Sequence, residues 1–160
     1  MDKLKKKIEL NIILIFSIFA LIVAFFIEYI LNHKPCNLCL LERIPYVLVV
    51  ILIVLVSIFK GFEKNTFFLL SLIFFLASVL SFYHFGIEQG FIDESSVCDL
   101  KQKTSDLTKE NLLQELGNKK ISCKDVTLKF FGLSLATINA FISLVISIIT
   151  LKIFLNYEKK

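Results

Sequence analysis

The ten residues from Lys34 to Arg43 read Lys-Pro-Cys-Asn-Leu-Cys-Leu-Leu-Glu-Arg, and they separate two long apolar runs of the chain. This stretch contains a Cys-x-x-Cys pair, Cys36 and Cys39, which is followed by the charged pair Glu42 and Arg43. Because the flanking runs are long enough to enter a bilayer, the stretch predicts a dithiol held at a membrane surface.

The composition excludes a soluble domain. Of the 160 residues, 56% are hydrophobic and only 20% are charged, a balance that is typical of membrane proteins. A chain of this length has room for one small bundle, so we predict a single domain over residues 1–160. The net charge of +4 comes from lysines grouped at segment ends and not from a basic face, so no nucleic-acid partner is expected.

The apolar runs predict four membrane-spanning helices, at residues 10–31, 41–59, 66–85 and 130–155. The fold class is therefore an all-α membrane protein, a four-helix bundle with outward loops at 32–40 and 86–129. The run from Pro45 to Phe59 is only 15 residues long, or about 22 Å of helix, so the second span should begin near Leu41 or Glu42. Pro45 would then lie within its first turn, where proline is tolerated.

Lysine and arginine counts predict the orientation. The side holding both termini and the turn near Lys60 carries nine such residues: Lys3, Lys5, Lys6, Lys7, Lys60, Lys64, Lys152, Lys159 and Lys160. Only two, Lys34 and Arg43, lie in or just after the first opposite loop. The seven lysines of the long second loop count less, because the bias applies to short loops. The positive-inside rule makes the richer side cytoplasmic. All four cysteines then lie on the opposite side, where disulfides can persist.

Two weaker patterns concern the rest of the bundle. Leu107, Leu112, Leu113 and Leu116 share one helical face, which predicts a short amphipathic helix in the second outward loop, lying on the bilayer or packed on the bundle. Gly132, Ala136 and Ala140 recur every four residues and predict close helix packing, and Asn139 among them is expected to make an interhelical hydrogen bond.

The predicted helix start places Cys39 just before the second helix, near the positive end of its dipole, with Arg43 four residues further on. A helix N-terminus and a cation both lower the pKa of a thiol. The pattern therefore indicates that Cys39 is an activated thiol.

Other uses of the four cysteines are less consistent with their spacing. Cys98 and Cys123 lie 24 residues apart with no Cys-x-x-Cys and no nearby His, so no metal site is expected. A c-type haem would need His where Leu40 stands. Two structural disulfides remain an open alternative.

Several motifs together resemble the bacterial disulfide bond formation protein B (DsbB) family. They are Lys-Pro-Cys-x-Leu-Cys-x-x-Glu-Arg at 34–43, the four spans, Cys98 and Cys123 in the second outward loop, and Phe-Gly-Leu-Ser-Leu-Ala at 131–136 with Asn139. The resemblance covers nearly the whole chain. It implies a quinone-linked thiol oxidase of the bacterial inner membrane that reoxidises a periplasmic DsbA-like protein of thioredoxin fold.

The resemblance also implies roles for individual residues. Cys98 would be attacked by the partner's thiolate, with Cys123 as its loop partner, and Cys123 would exchange with Cys36. Cys39 would then face the quinone.

Arg43 would hold a quinone oxygen. His84, at the outer end of the third span, is a weaker candidate for the quinone site, because an isolated interfacial His often has no such role.

Two alternatives come from other classes. A relative of vitamin K epoxide reductase would carry its Cys-x-x-Cys late in the bundle and not after the first span. A non-catalytic tetraspan protein with two structural disulfides would show no redox activity. The sequence does not distinguish ubiquinone from menaquinone or name the partner, and we expect a monomer in the lipid bilayer.

Overall fold

The computed structural model describes residues 2–33, 35–58, 63–93, 123, 129–130 and 133–158. Within these ranges the chain is almost entirely helical. The helices are α1 (Asp2–Tyr29), α2 (Asn37–Leu41), α3 (Ile44–Ile58), α4 (Glu63–Glu88) and α5 (Leu135–Glu158). Two very short strands, β1 (Lys129–Phe130) and β2 (Leu133–Ser134), pair antiparallel directly before α5.

Four helical segments are long and apolar enough to cross a membrane: Lys6–Tyr29, Asn37–Ile58, Lys64–Glu88 and Leu135–Asn156. The predicted all-α membrane fold is thereby confirmed. The amphipathic helix predicted around residues 107–116 lies outside the described residues.

The second span begins earlier than its apolar content suggested. We predicted a start near Leu41 or Glu42, but α2 begins at Asn37, because the Cys36 side chain caps the first turn by accepting a hydrogen bond from the Cys39 amide. Glu42 and Arg43 form a turn between α2 and α3. Pro45 is the second residue of α3, where it costs no helical hydrogen bond.

Helices α1, α3 and α4 share the main apolar core. Its buried members come from all three helices and are Ile13, Tyr46, Val49, Ile53, Leu70 and Phe74. Most other large apolar side chains of α1 are exposed, among them Ile12, Ile15, Phe19 and Ile22. Such side chains suit contact with lipid tails, which are as apolar as the side chains themselves.

Helices α4 and α5 are joined by hydrogen bonds from small polar side chains. Ser71 Oγ donates to the Ser147 carbonyl oxygen at 3.1 Å, and Ser147 Oγ donates back to the Ser71 carbonyl at 2.9 Å. Ser78 Oγ donates to the Ala140 carbonyl at 3.0 Å, and Ala140 is fully buried. The close helix approach predicted for the Ala136 and Ala140 face is confirmed, whereas Gly132 lies outside the described residues.

These bonds should contribute measurably to stability. We expect the double variant Ser71→Ala/Ser147→Ala to lose about 1–3 kcal/mol of unfolding free energy, because interhelical hydrogen bonds in membranes are worth roughly 0.6–1.7 kcal/mol each. The measurement is unfolding in mixed micelles. Ser57→Ala is the matched control, because Ser57 Oγ bonds the Ile53 carbonyl of its own helix. Equal losses in both variants would contradict this role.

Candidate dithiol site

The two cysteines of the Cys-x-x-Cys pair lie at the start of α2. Cys36 is the N-cap residue, with extended backbone (φ −72°, ψ 169°), and its Sγ accepts a hydrogen bond from the Cys39 amide at 3.3 Å. The two sulfur atoms are 2.9 Å apart and both thiols are free. The expectation that Cys39 precedes the helix is therefore wrong, because the cap lies three residues earlier.

His84 of α4 lies directly against this pair. Its Nε2 is 3.6 Å from Cys36 Sγ, and its Nδ1 is 2.7 Å from Glu42 Oε1. An ionised carboxylate can only accept hydrogen bonds, so Nδ1 carries the proton that is donated to Glu42. In the neutral ring Nε2 is then free to accept a hydrogen bond from the Cys36 thiol.

Glu42 is held on its other side by α5. Asn139 Nδ2 donates to Glu42 Oε2 at 2.9 Å and lies 2.8 Å from Ser81 Oγ, and Tyr46 OH donates to Asn139 Oδ1. The predicted interhelical hydrogen bond of Asn139 is confirmed. Its partners connect α5 to α4, to α3 and to the turn that follows α2.

A second carboxylate lies beside the histidine. Glu88 Oε1 is 3.7 Å from His84 Nε2, and both side chains are buried. Among the residues that the structure describes, no hydrogen-bond partner is present for the buried Oε2 atom of Glu88. The imidazole therefore has a carboxylate near each ring nitrogen.

The surroundings of Cys36 favour its thiolate. The side-chain hydrogen bond from Cys39 contributes most, and together with the hydrogen bond between Cys36 and His84 it outweighs burial and lowers the pKa of the Cys36 thiol from 9.0 to about 5. A thiolate is the nucleophilic form of cysteine. The Cys39 thiol and the imidazole thus activate Cys36, whereas the sequence favoured Cys39.

The second cysteine pair is described only in part. Cys123 is disulfide-bonded and buried, and it belongs to one apolar cluster with Cys36, Leu38 and Ile87. Cys98 lies outside the described residues. Cys123 and Cys36 thus lie in the same buried cluster, and the exchange between them stays a prediction.

Arg43 points away from the cysteines and toward α1. Its Nη1 is ion-paired with Glu28, its Nη2 lies 3.5 Å from the Ala24 carbonyl oxygen, and its guanidinium lies 5.2 Å from the centre of the Phe25 ring. Among the described residues, no hydrogen bond joins Arg43 to a cysteine. The guanidinium that we expected beside Cys39 from sequence spacing is therefore held by contacts with α1.

Sequence reasoning assigned no role in the site to Glu42, Glu88 and Asn139. Glu42 was visible as a charged residue beside the Cys-x-x-Cys pair, and Glu88 follows His84 by four residues, which places both on one face of a helix. These signals show that the residues share a surface. They do not show which other helix that surface packs against.

Comparison with known proteins places this arrangement in a family. The profile of the family described as "Disulfide bond formation protein DsbB" matches residues 6–153. The chain belongs to the DsbB family. The resemblance recognised in the sequence is thereby confirmed, and the family associates this membrane protein with an oxidoreductase role in disulfide bond formation.

One relative of this DsbB family member is an uncharacterized protein of Rickettsia prowazekii (strain Madrid E). The two are 30% identical over 153 residues, which cover 94% of this chain and 88% of the relative. No solved structure matches the chain.

The low pKa of Cys36 can be tested directly. Alkylation of Cys36 by a small reagent, resolved by peptide mass spectrometry, should reach half its maximal rate near pH 5 in the reduced protein. A group with a depressed pKa is deprotonated above it, so the rate should stay flat through neutral pH. Cys39→Ala should move the midpoint up toward 9.0, because it removes the largest cause of the shift. A wild-type midpoint above about 8 would contradict this account.

Proposed function

We propose that this protein is a dithiol:quinone oxidoreductase that reoxidises a periplasmic DsbA-like dithiol oxidase and passes the electrons to a membrane quinone. The observation that carries the proposal is the free Cys36–Cys39 pair, with sulfur atoms 2.9 Å apart and His84 Nε2 at 3.6 Å from Cys36. A dithiol with these contacts at the end of a membrane bundle suits reversible oxidation. Two purely structural disulfides would give the buried His84–Glu42 pair no chemical use.

The relay begins in the second outward loop. The partner's thiolate attacks Cys98 of a Cys98–Cys123 disulfide, which forms a mixed disulfide and releases the Cys123 thiolate. The partner's second thiol then displaces Cys98, so that the partner leaves oxidised and the loop pair is left reduced by two electrons.

The second exchange moves these electrons into the bundle. The Cys123 thiolate attacks Cys36 of a Cys36–Cys39 disulfide and releases Cys39, and Cys98 then attacks Cys123 and releases Cys36. The loop disulfide is restored and the bundle pair is reduced. The shared buried cluster of Cys123 and Cys36 supports this order.

His84 and Glu42 control the proton of Cys36 in this scheme. His84 Nε2 accepts the thiol proton when Cys36 is reduced, and the hydrogen bond from Nδ1 to Glu42 keeps Nε2 turned toward the sulfur. Asn139 fixes the opposite carboxylate oxygen. Glu42 is thus a positioning residue, since it acts on the sulfur only through the imidazole.

Arg43 is the residue we propose for binding the quinone. A guanidinium has five N–H donors, and the contacts to Glu28 and the Ala24 carbonyl leave donors available for a quinone oxygen. A bound quinone, ubiquinone or menaquinone, supplies the acceptor for two electrons and two protons. Glu28 holds the guanidinium at the α1 side of the bundle.

The proposed setting is the bacterial inner membrane, with both termini in the cytoplasm. Nine basic residues near the termini and the Lys60 turn, against two at the short first outward loop, support this orientation. The cysteines then face the periplasm, where the DsbA-like partner would be found.

The order of the relay is tested with two reductants. Cys98→Ser should abolish quinone reduction driven by a reduced DsbA-like protein, while a small dithiol should still deliver electrons through Cys36 and Cys39. The measurement is the absorbance of a soluble quinone analogue mixed with purified protein. Cys36→Ser is the matched control and should fail with both reductants. Equal loss in Cys98→Ser with both reductants would contradict the order, and a wild-type protein inactive with both would contradict the function.

The role of Arg43 is tested by a conservative change. Arg43→Lys should keep a cation beside Glu28 but lose the fork of donors, so the apparent KM for quinone should rise while exchange with the protein partner stays intact. Arg43→Ala should lose about 10- to 100-fold in kcat/KM, which corresponds to roughly 1.5–3 kcal/mol for one charge-assisted hydrogen bond.

Glu28→Gln serves as the control for this change. It removes the ion pair without removing a guanidinium donor, so its effect on the KM should be smaller than that of Arg43→Lys. Unchanged quinone kinetics in both Arg43 variants would show that Arg43 does not bind quinone and only anchors the helix at the membrane interface.

A further inference from the structure

The dithiol and its histidine also form a set of potential metal ligands. Cys36 Sγ, Cys39 Sγ and a ring nitrogen of His84 all lie within 4.8 Å of one another. The spacing within the sequence argued against a metal site, since neither His lies near the second cysteine pair. The fold instead brings a histidine 48 residues away onto the first pair.

The distance between Cys36 and His84 fits a tetrahedral cation of the zinc class. With Zn–S of about 2.3 Å and Zn–N of about 2.0–2.1 Å, tetrahedral geometry separates sulfur from nitrogen by about 3.6 Å and two sulfurs by about 3.8 Å. The observed distance from Cys36 Sγ to His84 Nε2 is 3.6 Å. The two sulfurs, now 2.9 Å apart, need only a modest opening, and Cys-x-x-Cys is a common zinc-ligand spacing.

The histidine already has the outer partner typical of a metal ligand. Metal-bound imidazoles usually donate their other N–H to a carboxylate, which fixes the ring and raises its basicity. His84 Nδ1 makes this bond to Glu42 Oε1 at 2.7 Å, and Glu42 is fixed in turn by Asn139. Nε2 is therefore presented toward the two sulfurs.

The cluster of Cys36, Cys39 and His84 supplies three ligands, and Glu88 is the candidate for a fourth because it lies beside His84. Its Oε1 is 3.7 Å from His84 Nε2, close to the separation of about 3.4 Å for two ligands at zinc distances. Its Oε2 is buried and has no hydrogen-bond partner among the described residues. A cation would neutralise this buried carboxylate, which is otherwise costly to keep charged.

We propose that the reduced Cys36–Cys39 dithiol, His84 and Glu88 form a binding site for a divalent cation of the zinc class. Binding displaces the protons that the two cysteines and His84 Nε2 still hold, and transfers no electrons. Oxidation to the Cys36–Cys39 disulfide removes two of the four ligands, so only the reduced protein binds the cation. Where the proposed function holds, the bound cation is an inhibitor, because metal-bound thiolates are withdrawn from oxidation.

The test uses Co²⁺ as an optical probe, since tetrahedral thiolate coordination gives intense d–d bands and a sulfur-to-metal charge-transfer band. The full-length variant Cys98→Ser/Cys123→Ser leaves the Cys36–Cys39 pair as the chain's sole cysteines. When reduced, it should bind one Co²⁺ with both band systems, and Zn²⁺ should displace the probe. The same protein oxidised to the disulfide should give neither band.

The chain contains a matched control, because it has two histidines, His33 and His84. His84→Ala should weaken binding at least about 10-fold, and Glu42→Gln should weaken it about 10- to 100-fold by removing the outer partner. His33→Ala should bind like the parent. The elution profile and the helical content of each variant show whether it is folded. The oxidised parent tests the site without a substitution at any proposed ligand.

Three results would overturn the site: no tetrahedral bands in the reduced parent, equal binding in the oxidised parent, or equal affinities in folded His84→Ala and His33→Ala. Quinone reduction measured in chelator without added metal is a separate readout. Its failure would contradict the proposed function and leave metal binding standing, whereas failure of Co²⁺ binding would leave the oxidase intact.

Discussion

The hydrogen bonds of one carboxylate, Glu42, hold the dithiol site together. Its two oxygens are taken by His84 Nδ1 at 2.7 Å and by Asn139 Nδ2 at 2.9 Å, and Tyr46 donates to the same Asn139. A carboxylate at the edge of a bilayer needs such partners, because an unpaired buried charge is costly. The partners come from three different segments, so the position of the imidazole beside Cys36 depends on the packing of the bundle.

The break between α2 and α3 gives neighbouring residues opposite surroundings. Glu42 turns toward α4 and α5, whereas Arg43 turns toward Glu28 and Phe25 of α1. In an unbroken helix the side chains of two successive residues already point about 100° apart. Glu42 and Arg43 lie in the turn between α2 and α3, and their side chains contact different helices. One charged pair in the sequence thus makes contacts in two places, Glu42 with the imidazole beside the sulfur and Arg43 with Glu28 of α1.

The same contacts that favour thiol oxidation also favour the binding of a metal cation. A thiolate of low pKa beside an oriented imidazole is a good nucleophile, and it is also a good ligand for a soft cation. The two uses are separated by oxidation state, since a disulfide offers neither thiolate. In a dithiol enzyme that its electron acceptor keeps oxidised, the two thiolates would rarely be available to bind a cation.

The sequence by itself determined the membrane class and the four spans and pointed to the pair Cys36 and Cys39, because apolar run length and the Cys-x-x-Cys spacing are local properties of the chain. It also indicated that Asn139 bonds between helices. It placed the helix start too late, since the apolar content of the second span gives no sign that a cysteine side chain caps it.

Only the tertiary structure decided which cysteine is activated and by what. His84 lies 48 residues from Cys36, and Asn139 lies 97 residues from Glu42. No local spacing links residues so far apart, because their contact depends on the rotation of each helix about its own axis and on how α4 and α5 pack. Those rotations are fixed by the whole set of buried side chains and interhelical hydrogen bonds, and not by any one segment.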